Sequence, residues 1–276
     1  IKYTNVTTQD GDTEFNNNNT IIVKIPANGS TNTFTVESID DYLADNGEKY
    51  NVAITKVDTN EFENVVIGDK SGNNKDVTTT ILDNPSTTDN PTVPTDPTNP
   101  NNPDDGINYG EEDSVYAIIT GAVSVNEGNT TTYTVKLVDK DGNSVIIPAG
   151  EEITVKIVYT GNATKGTDYT ATETITFTST TGNTITISNP TIDDFLADNN
   201  ESYTATIGQI TQKEGTFENI ESGYSQSYKN THTGESDGKS VTGTILDDTD
   251  NTPNDPNDNG TKEGNHEQVI LKIVAV

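Results

Sequence analysis

Cysteine and tryptophan are absent from this 276-residue chain, and its basic residues are all lysine. Without cysteine, neither disulfides nor thiolate chemistry can form. Without tryptophan, and with aromatic residues at only 6%, no aromatic platform for sugar is evident. Histidine occurs only at His232 and His266, both in polar segments, which leaves no place for Ser-His or Cys-His catalysis. The sequence therefore predicts a protein that is not an enzyme.

Positive charge is scarce, since 44 acidic residues face 15 basic ones and the net charge is −29. Nucleic acid and anionic membrane are excluded as partners, because their phosphates would be repelled. No apolar run approaches the roughly 20 residues of a membrane helix, so no membrane insertion is expected in this segment. Such a charge opposes compaction unless counterions gather where carboxylates crowd, and divalent cations are the obvious counterions.

What is present is a β pattern. In residues 1–84, short runs of alternating apolar and polar residues are separated by turn dipeptides such as Asn46-Gly47. Residues 112–248 contain seven or more such runs, of which the first is a strand from Val115 to Val125. Short strands with regular turn signals are typical of an antiparallel sandwich. We therefore predict an all-β protein with tandem β-sandwiches.

Linkers rich in Pro, Asn and Thr separate these regions. Six of the 11 prolines fall in residues 85–111, where they remove ladder donors and exclude a central strand. A second polar linker is predicted at 249–265. Residues 266–276 resemble the sequence that opens the 112–248 region, and so predict the first strand of a further repeat. On this interpretation 1–84 is the C-terminal part of one repeat, and 112–248 is a complete repeat.

The stretch from Thr191 to Tyr203 occurs twice, with its earlier copy running from Ser38 to Tyr50, and four acids keep their places in both. Each copy lies between apolar flanks typical of strand ends. Such a segment can gather carboxylates at one tip of a β-sheet domain, as calcium requires, since it takes about 6–8 oxygen ligands. Two further recurrences are Phe62-Glu63-Asn64 with Phe217-Glu218-Asn219, and Val77 to Asp83 with Val241 to Asp247.

The acids also have a simpler explanation. An acidic protein scatters Asp and Glu over solvated loops, and Asp193-Asp194 would favour the N-terminus of a short helical turn. Elsewhere, Asp139-Lys140-Asp141-Gly142 begins like an EF-hand loop, but Gly150 stands where the bidentate Glu belongs. A glycine-containing hairpin turn is the better interpretation of that segment.

Four motifs in order carry a family resemblance: Val125-Asn126-Glu127-Gly128, Gly166-Thr167-Asp168-Tyr169, Ile192-Asp193-Asp194 with Glu201-Ser202-Tyr203, and Gly243-Thr244-Ile245-Leu246-Asp247-Asp248. Together they resemble the Calx-β domain, as it is repeated in long bacterial surface adhesins of the RTX type. The resemblance covers 112–248 well and 1–84 in part. It implies immunoglobulin-like sandwiches with calcium held at one tip.

The calcium ligands that the resemblance implies in the complete repeat are Glu127, Asp168, Asp193, Asp194, Glu201, Asp247 and Asp248. Asp198 is added to this set from the duplicated stretch. The corresponding acids of the first copy are Asp40, Asp41, Glu48 and Asp83. That copy departs from the pattern, because Glu14 stands for Asp168 and Asn84 for Asp248, and this leaves its site open.

The function expected from these features is a structural repeat segment of a secreted adhesin or extracellular fibre on a bacterial cell surface, stiffened by calcium. Expected partners are other repeats and a host or abiotic surface. Other copies of the chain could also pair by strand addition between 266–276 and the incomplete sheet of 1–84, but the sequence favours the alternative that this segment simply begins and ends within repeats. One alternative is an adhesive module that binds its ligand through the polar insertion 222–239. Another is a glycan hydrolase built on two carboxylates.

Overall fold

The computed structural model describes residues 1–7, 20–25, 31–39, 41–44, 47–59, 62–69, 71–81, 111, 113–121, 124–194, 201–213, 216–246 and 271–274. The chain forms two compact units. The first unit consists of Ile1–Asp113 together with Glu214–Asn219, and the second of Ser114–Lys213 together with Ile220–Val276. The complete repeat predicted at 112–248 overlaps the second unit, and its bounds stay a prediction. The predicted linkers 85–111 (apart from Glu111) and 249–265 lie outside the described residues.

The first unit contains a three-stranded antiparallel sheet. Its strands are β1 (Lys2–Thr7), β2 (Lys49–Ala53) and β3 (Asp76–Thr80), in the order β1-β2-β3. In β2, Val52 pairs with Tyr3 of β1 on one side and with Val77 of β3 on the other. Val77 is exposed and Val52 is half-buried, so this sheet has little covered apolar surface among the described residues.

In the residues that the structure describes, the second unit contains two sheets and one short helix. The five-stranded sheet has the order β5-β12-β10-β7-β8, and the four-stranded sheet has the order β11-β4-β6-β9. The elements in chain order are β4 (Ser114–Gly121), β5 (Ser124–Asn126), β6 (Thr130–Val138), β7 (Glu152–Gly161), β8 (Thr174–Thr178), β9 (Thr184–Pro190), β10 (Glu201–Gln212), β11 (Asn219–Ser222), α1 (Gln226–Thr231) and β12 (Ser240–Leu246).

Alternating side chains build the core between these two sheets. Strands β6 and β7 each bury every second residue, because successive side chains of a strand point to opposite faces. The rings of Tyr133 in one sheet and Tyr203 in the other lie 6.2 Å apart, centroid to centroid. The fully buried apolar residues of β6 and β7 are Tyr133, Val135, Leu137, Ile153 and Val155. Burial of each of these side chains stabilises the fold by about 1.5–3 kcal/mol. The two sheets and their shared core confirm the predicted all-β sandwich class.

The prediction of one strand from Val115 to Val125 is wrong. The chain forms β4 in the four-stranded sheet and then β5 in the five-stranded sheet, where β5 runs parallel to β12. Gly121 ends β4 at a close approach, because a Cβ added there would lie 2.6 Å from the carbonyl oxygen of Thr132. A run of strand-forming residues does not show where the chain passes from one sheet to the other, since that is decided by pairing with distant strands.

The strand predicted at 266–276 is described only over residues 271–274. These residues belong to none of the strands in the described part of the chain, and Leu271, Ile273 and Val274 are fully or largely exposed. Pairing of this segment with another copy therefore stays a prediction. Among the residues that the structure describes, none of the helices has the length and apolar character needed to cross a membrane.

Candidate metal centre

One end of the second unit collects the segments that carry the predicted ligands. The start of β10 faces the end of β12 through the pair Glu201 and Ile245, and the end of β12 faces the end of β5 through Leu246 and Asn126. On the other sheet, Thr130 at the start of β6 faces Pro190 at the end of β9. We call this the acidic end; it consists of residues 126–130, 161–170, 190–194, 201–202 and 245–246.

The turn that carries Glu127 lies against Asp193 at the acidic end. The backbone N–H of Glu127 donates a hydrogen bond of 2.8 Å to the carbonyl oxygen of Leu246, and the Glu127 side chain is buried. A Cβ added at Gly128 would lie 3.4 Å from the Cβ of Asp193. Gly128 has a φ of +70°, a conformation that glycine adopts without strain. The turn after β5 therefore holds Glu127 close to the segment that follows β9.

Thr191 ties three parts of the acidic end together. Its N–H donates to the carbonyl oxygen of Asn129 at 2.8 Å, and its hydroxyl lies 2.8 Å from the same oxygen and 3.1 Å from that of Asn126. The next residue, Ile192, donates its N–H to the carbonyl oxygen of Asp168 at 2.8 Å. The turn after β5, the loop after β7 and the segment after β9 are thus held in register, and each of them carries a predicted ligand.

Asp168 and Glu201 are placed differently. Asp168 accepts a short hydrogen bond from the N–H of Thr164, and its own N–H donates to the carbonyl oxygen of Thr164 at 2.9 Å. One carboxylate oxygen of Asp168 therefore closes its own turn and is only in part available to a cation. Glu201 is half-buried at the start of β10. Beside it, Asn162 accepts hydrogen bonds from the N–H and the hydroxyl of Ser202 at 2.9 and 3.0 Å.

The structure brings five of the predicted ligands to the acidic end: Glu127, Asp168, Asp193, Asp194 and Glu201. Asp198, Asp247 and Asp248 lie outside the described residues, and Asp247 directly follows Leu246 in the chain. Within the described ranges, no three side chains of Asp, Glu or His lie close enough together to hold a metal ion. The described acids therefore share one end of the unit without forming a closed coordination shell.

In the first unit, two of the four predicted ligands are described. Asp41 accepts a hydrogen bond of 2.8 Å from the N–H of Leu43, which stabilises the local turn. Glu48 is 1% exposed, and its carbonyl oxygen accepts from the N–H of Ile81 at 2.8 Å. Asp40 and Asp83 lie outside the described residues.

Sequence reasoning missed two buried acids of the first unit. Asp113 and Glu218 are both buried, although the sequence analysis named neither of them as a candidate. Burying a carboxylate is unfavourable unless it is paired or hydrogen-bonded. The recurrence of Phe-Glu-Asn at 62–64 and 217–219 was the signal that could have drawn attention to Glu218.

Four tyrosines lie behind the acidic end. The rings of Tyr169 and Tyr203 stack with centroids 4.0 Å apart, and Tyr133 and Tyr159 contact Tyr203 at 6.2 and 5.9 Å. Desolvation by burial raises the pKa of Tyr169 to about 12, and it also raises the pKa of Tyr133 and Tyr159. The hydroxyl of Tyr159 accepts from Asn189 Nδ2 at 3.1 Å. These packed rings form an aromatic cluster beside the acidic end.

The polar insertion 222–239 contains an aromatic stack. The rings of Tyr224 and Tyr228 lie 4.0 Å apart and those of Tyr228 and His232 lie 3.9 Å apart, all nearly parallel. Desolvation raises the pKa of Tyr224 to about 12. The ring of Tyr224 packs on a buried cluster of three residues, Tyr116, Ile118 and Val138. The structure therefore supports a packing role for Tyr224.

The insertion lies at the opposite end of β6 from the acidic end. Ser225 donates its hydroxyl hydrogen to the carbonyl oxygen of Lys140 at 2.6 Å, just beyond the end of β6 at Val138. In the same turn, Asp139 Oδ1 accepts from the N–H groups of Asp141 and Asn143 at 2.9 and 2.8 Å. The carboxylate of Asp139 therefore stabilises a turn, which agrees with the hairpin interpretation and not with an EF-hand.

Comparison with known proteins gave structural neighbours only. No protein-family model matches the chain, and no curated protein matches it. Solved structures similar to it include the apo form of the Calx CBD1 domain, with 16% identity over 49% of this chain and 97% of that chain, and a TM-score of 0.34. Others are the calcium binding domain CBD12 of CALX1.1, with 16% identity and a TM-score of 0.31, and CBD12 from CALX1.2, with 15% identity and a TM-score of 0.33. Both matches cover 49% of this chain and 44% of the other chain.

Proposed function

We propose that the second unit is a calcium-binding structural repeat of a secreted, cell-surface adhesin or extracellular fibre. The observation that supports this proposal is the placement of five acids at one end of the sandwich, on four separate chain segments: Glu127, Asp168, Asp193 with Asp194, and Glu201. Unneutralised carboxylates repel one another, and hard cations with oxygen ligands remove that repulsion. The donor set contains oxygen ligands only, which fits calcium and does not fit zinc.

The residues that would hold calcium are Glu127, Asp193, Asp194 and Glu201, with the free oxygen of Asp168. Asp198, Asp247 and Asp248 complete the proposed set from the adjoining chain. The ion supplies positive charge at a point where four or more chain segments end. The protein's own part is to hold these oxygens in place through the packed tyrosines and the hydrogen bonds of Thr191.

A second calcium site is proposed in the first unit, with Asp40, Asp41, Glu48 and Asp83. It is the weaker of the two, because Asp41 is used in its own turn. In both units the expected role is mechanical: the ion links the loops at one end of the sheet, and the repeat then acts as a stiff spacer between polar linkers.

The decisive experiment is thermal unfolding of the full chain in calcium, in chelator and in magnesium. Calcium binding to the native state adds RT ln(1 + [L]/Kd), which is about 2.7 kcal/mol at 100-fold excess over Kd. We expect a calcium-dependent rise of the melting temperature, with a smaller rise in magnesium, which demands stricter octahedral geometry. An identical melting curve in calcium and chelator would refute the calcium part of the proposal.

A further inference from the structure

Three buried hydroxyl groups of the second unit have no hydrogen-bond partner in the part of the chain that the structure describes. They belong to Thr131 and Tyr133 of β6 and to Tyr203 of β10. Each of these residues is at most 1% exposed. A buried hydroxyl without a partner is energetically costly, and most buried polar groups of folded proteins therefore bond to protein or to ordered water.

The two tyrosine hydroxyls come together against Gly243 of β12. Gly243 faces Tyr203 in the register of β10 and β12. A Cβ added at Gly243 would lie 2.5 Å from the hydroxyl oxygen of Tyr133 and 3.6 Å from Cζ of Tyr203, the carbon that carries the second hydroxyl. Because glycine has no side chain, it leaves the room that the hydroxyl of Tyr133 occupies.

Thr131 brings the third hydroxyl to the same place. Thr131 and Tyr133 are two positions apart in β6, so both side chains lie on the buried face of the strand. Burial raises the pKa of Tyr133, the hydroxyl of Tyr203 raises it further, and the hydroxyl of Thr131 lowers it. Both hydroxyls are thus near enough to that of Tyr133 to alter its ionisation, although neither forms a hydrogen bond with it.

Packing fixes the two rings that carry the phenolic hydroxyls. The ring of Tyr203 meets that of Tyr133 edge to face and stacks on Tyr169 with centroids 4.0 Å apart. The backbone of β4 confines Tyr133 from another side, since a Cβ added at Gly121 would lie 2.6 Å from Cδ1 of Tyr133. Turning either ring to pair the hydroxyls directly would disturb this packing.

We propose that the hydroxyls of Thr131, Tyr133 and Tyr203 bind one water molecule between the two sheets. Water fits because it is small and uncharged and because it both donates and accepts, as the hydroxyls do. Buried waters typically make about three hydrogen bonds to polar groups that otherwise lack a partner. Calcium does not fit, since it takes about 6–8 oxygen ligands and three neutral hydroxyls meet here.

The proposed water links the two sheets. Thr131 and Tyr133 belong to the four-stranded sheet, whereas Tyr203 belongs to the five-stranded sheet. The chain has no cysteine, so a disulfide cannot provide such a link. A polar link inside the sandwich goes beyond the calcium-binding spacer proposed above and does not depend on the calcium site.

A double-mutant cycle in the full chain tests the water site by urea unfolding in chelator. Thr131→Val and Tyr203→Phe each remove one hydroxyl and nearly conserve the shape of the side chain. We expect each single substitution to lower the folding equilibrium constant about two- to tenfold, the range for one net hydrogen bond. The loss from Thr131→Val should shrink by at least about half in the Tyr203→Phe background, because both residues bind the same water.

The matched control is Thr132→Val, one residue along β6 on the exposed face, which should show no coupling to Tyr203→Phe. Increased stability in Thr131→Val or Tyr203→Phe would overturn the proposal, because removing a hydroxyl that has no partner is favourable. Losses that simply add would overturn it as well, since the two residues would then share no partner.

A crystal structure of the full chain at about 1.5 Å resolution gives a readout that does not depend on substitutions. We expect one density peak about 2.5–3.0 Å from each of the three hydroxyl oxygens. A direct hydrogen bond between Tyr133 and Tyr203 without such a peak would contradict the water site.

Discussion

Phe217 and Phe62 offer a matched pair of substitutions in one molecule, since the two residues occupy the same place in the repeated Phe-Glu-Asn segment. Phe217 is 0% exposed and packs edge to face on Tyr42, whereas Phe62 is 71% exposed. Phe217→Ala removes a buried ring and leaves a cavity, which typically costs about 3–5 kcal/mol. Phe62→Ala removes a solvated ring, and we expect a change within about 0.5 kcal/mol.

Urea unfolding followed by circular dichroism measures both variants, at dilution where the chain is monomeric. With a slope of about 1–3 kcal/mol per molar urea, a loss of this size lowers the midpoint of the affected transition by at least about 1 M. Hydrogen exchange localises the loss, because the N–H groups of Ala44 and Glu218 are the donors that pair the chain at Leu43 with the chain at Phe217. Both N–H groups should exchange faster in Phe217→Ala and at an unchanged rate in Phe62→Ala. Equal destabilisation by the two substitutions, or unchanged exchange in Phe217→Ala, would refute the pairing.

Three further predictions concern the acidic end, the turn after β6 and the tyrosines. Glu127→Gln should reduce the calcium-induced rise in melting temperature, whereas Glu152→Gln, at the start of β7, should leave it intact; equal responses would contradict the ligand role of Glu127. Asp139→Ala should lower the free energy of unfolding by about 1–3 kcal/mol, because its carboxylate accepts three hydrogen bonds. Asp141→Ala should change it by less than about 0.5 kcal/mol in the same urea titration, since its ion pair with Lys140 is solvent-exposed. Burial raises the pKa of Tyr169 from 10.0 to about 12, so its contribution to stability is present below pH 10 and is lost as the pH rises towards 12. Phenolate absorbance recorded beside alkaline unfolding checks this, and stability that increases over that range would contradict it.

The strands of the second unit could be predicted because their signal is local. Alternation of Tyr133, Val135 and Leu137 with polar residues places every second side chain in the core, and this pattern depends only on the two-residue period of a strand. The turn at Asp139 was also predictable, since the hydrogen bonds that stabilise it lie within five residues. Helix α1 was not predicted in the polar insertion, because six residues are too few to show a helical period.

The acidic end could be predicted only in part. The repeat and the motif order selected five acids that the structure describes at one end of the sandwich, because β5, β7 and β12 run in one direction and end there, whereas the antiparallel β10 begins there. Their individual environments could not be predicted. Asp168 is engaged by Thr164 within its own turn, a local contact that the motif does not show. Glu127 and Glu48 are buried, and their backbones pair with Leu246 and Ile81, which are far along the chain.

The amino-acid sequence by itself determined that the chain is rich in β-structure, strongly acidic and internally duplicated, because composition, two-residue alternation and recurrence are properties of neighbouring residues. The tertiary structure alone decided that the strand predicted from Val115 to Val125 is divided between two sheets, and that residues 214–219 belong with the first unit. It also decided that Phe217 is buried while its match Phe62 is exposed. These outcomes depend on which distant segments pair, so two copies of one short sequence differ in burial when their surroundings differ.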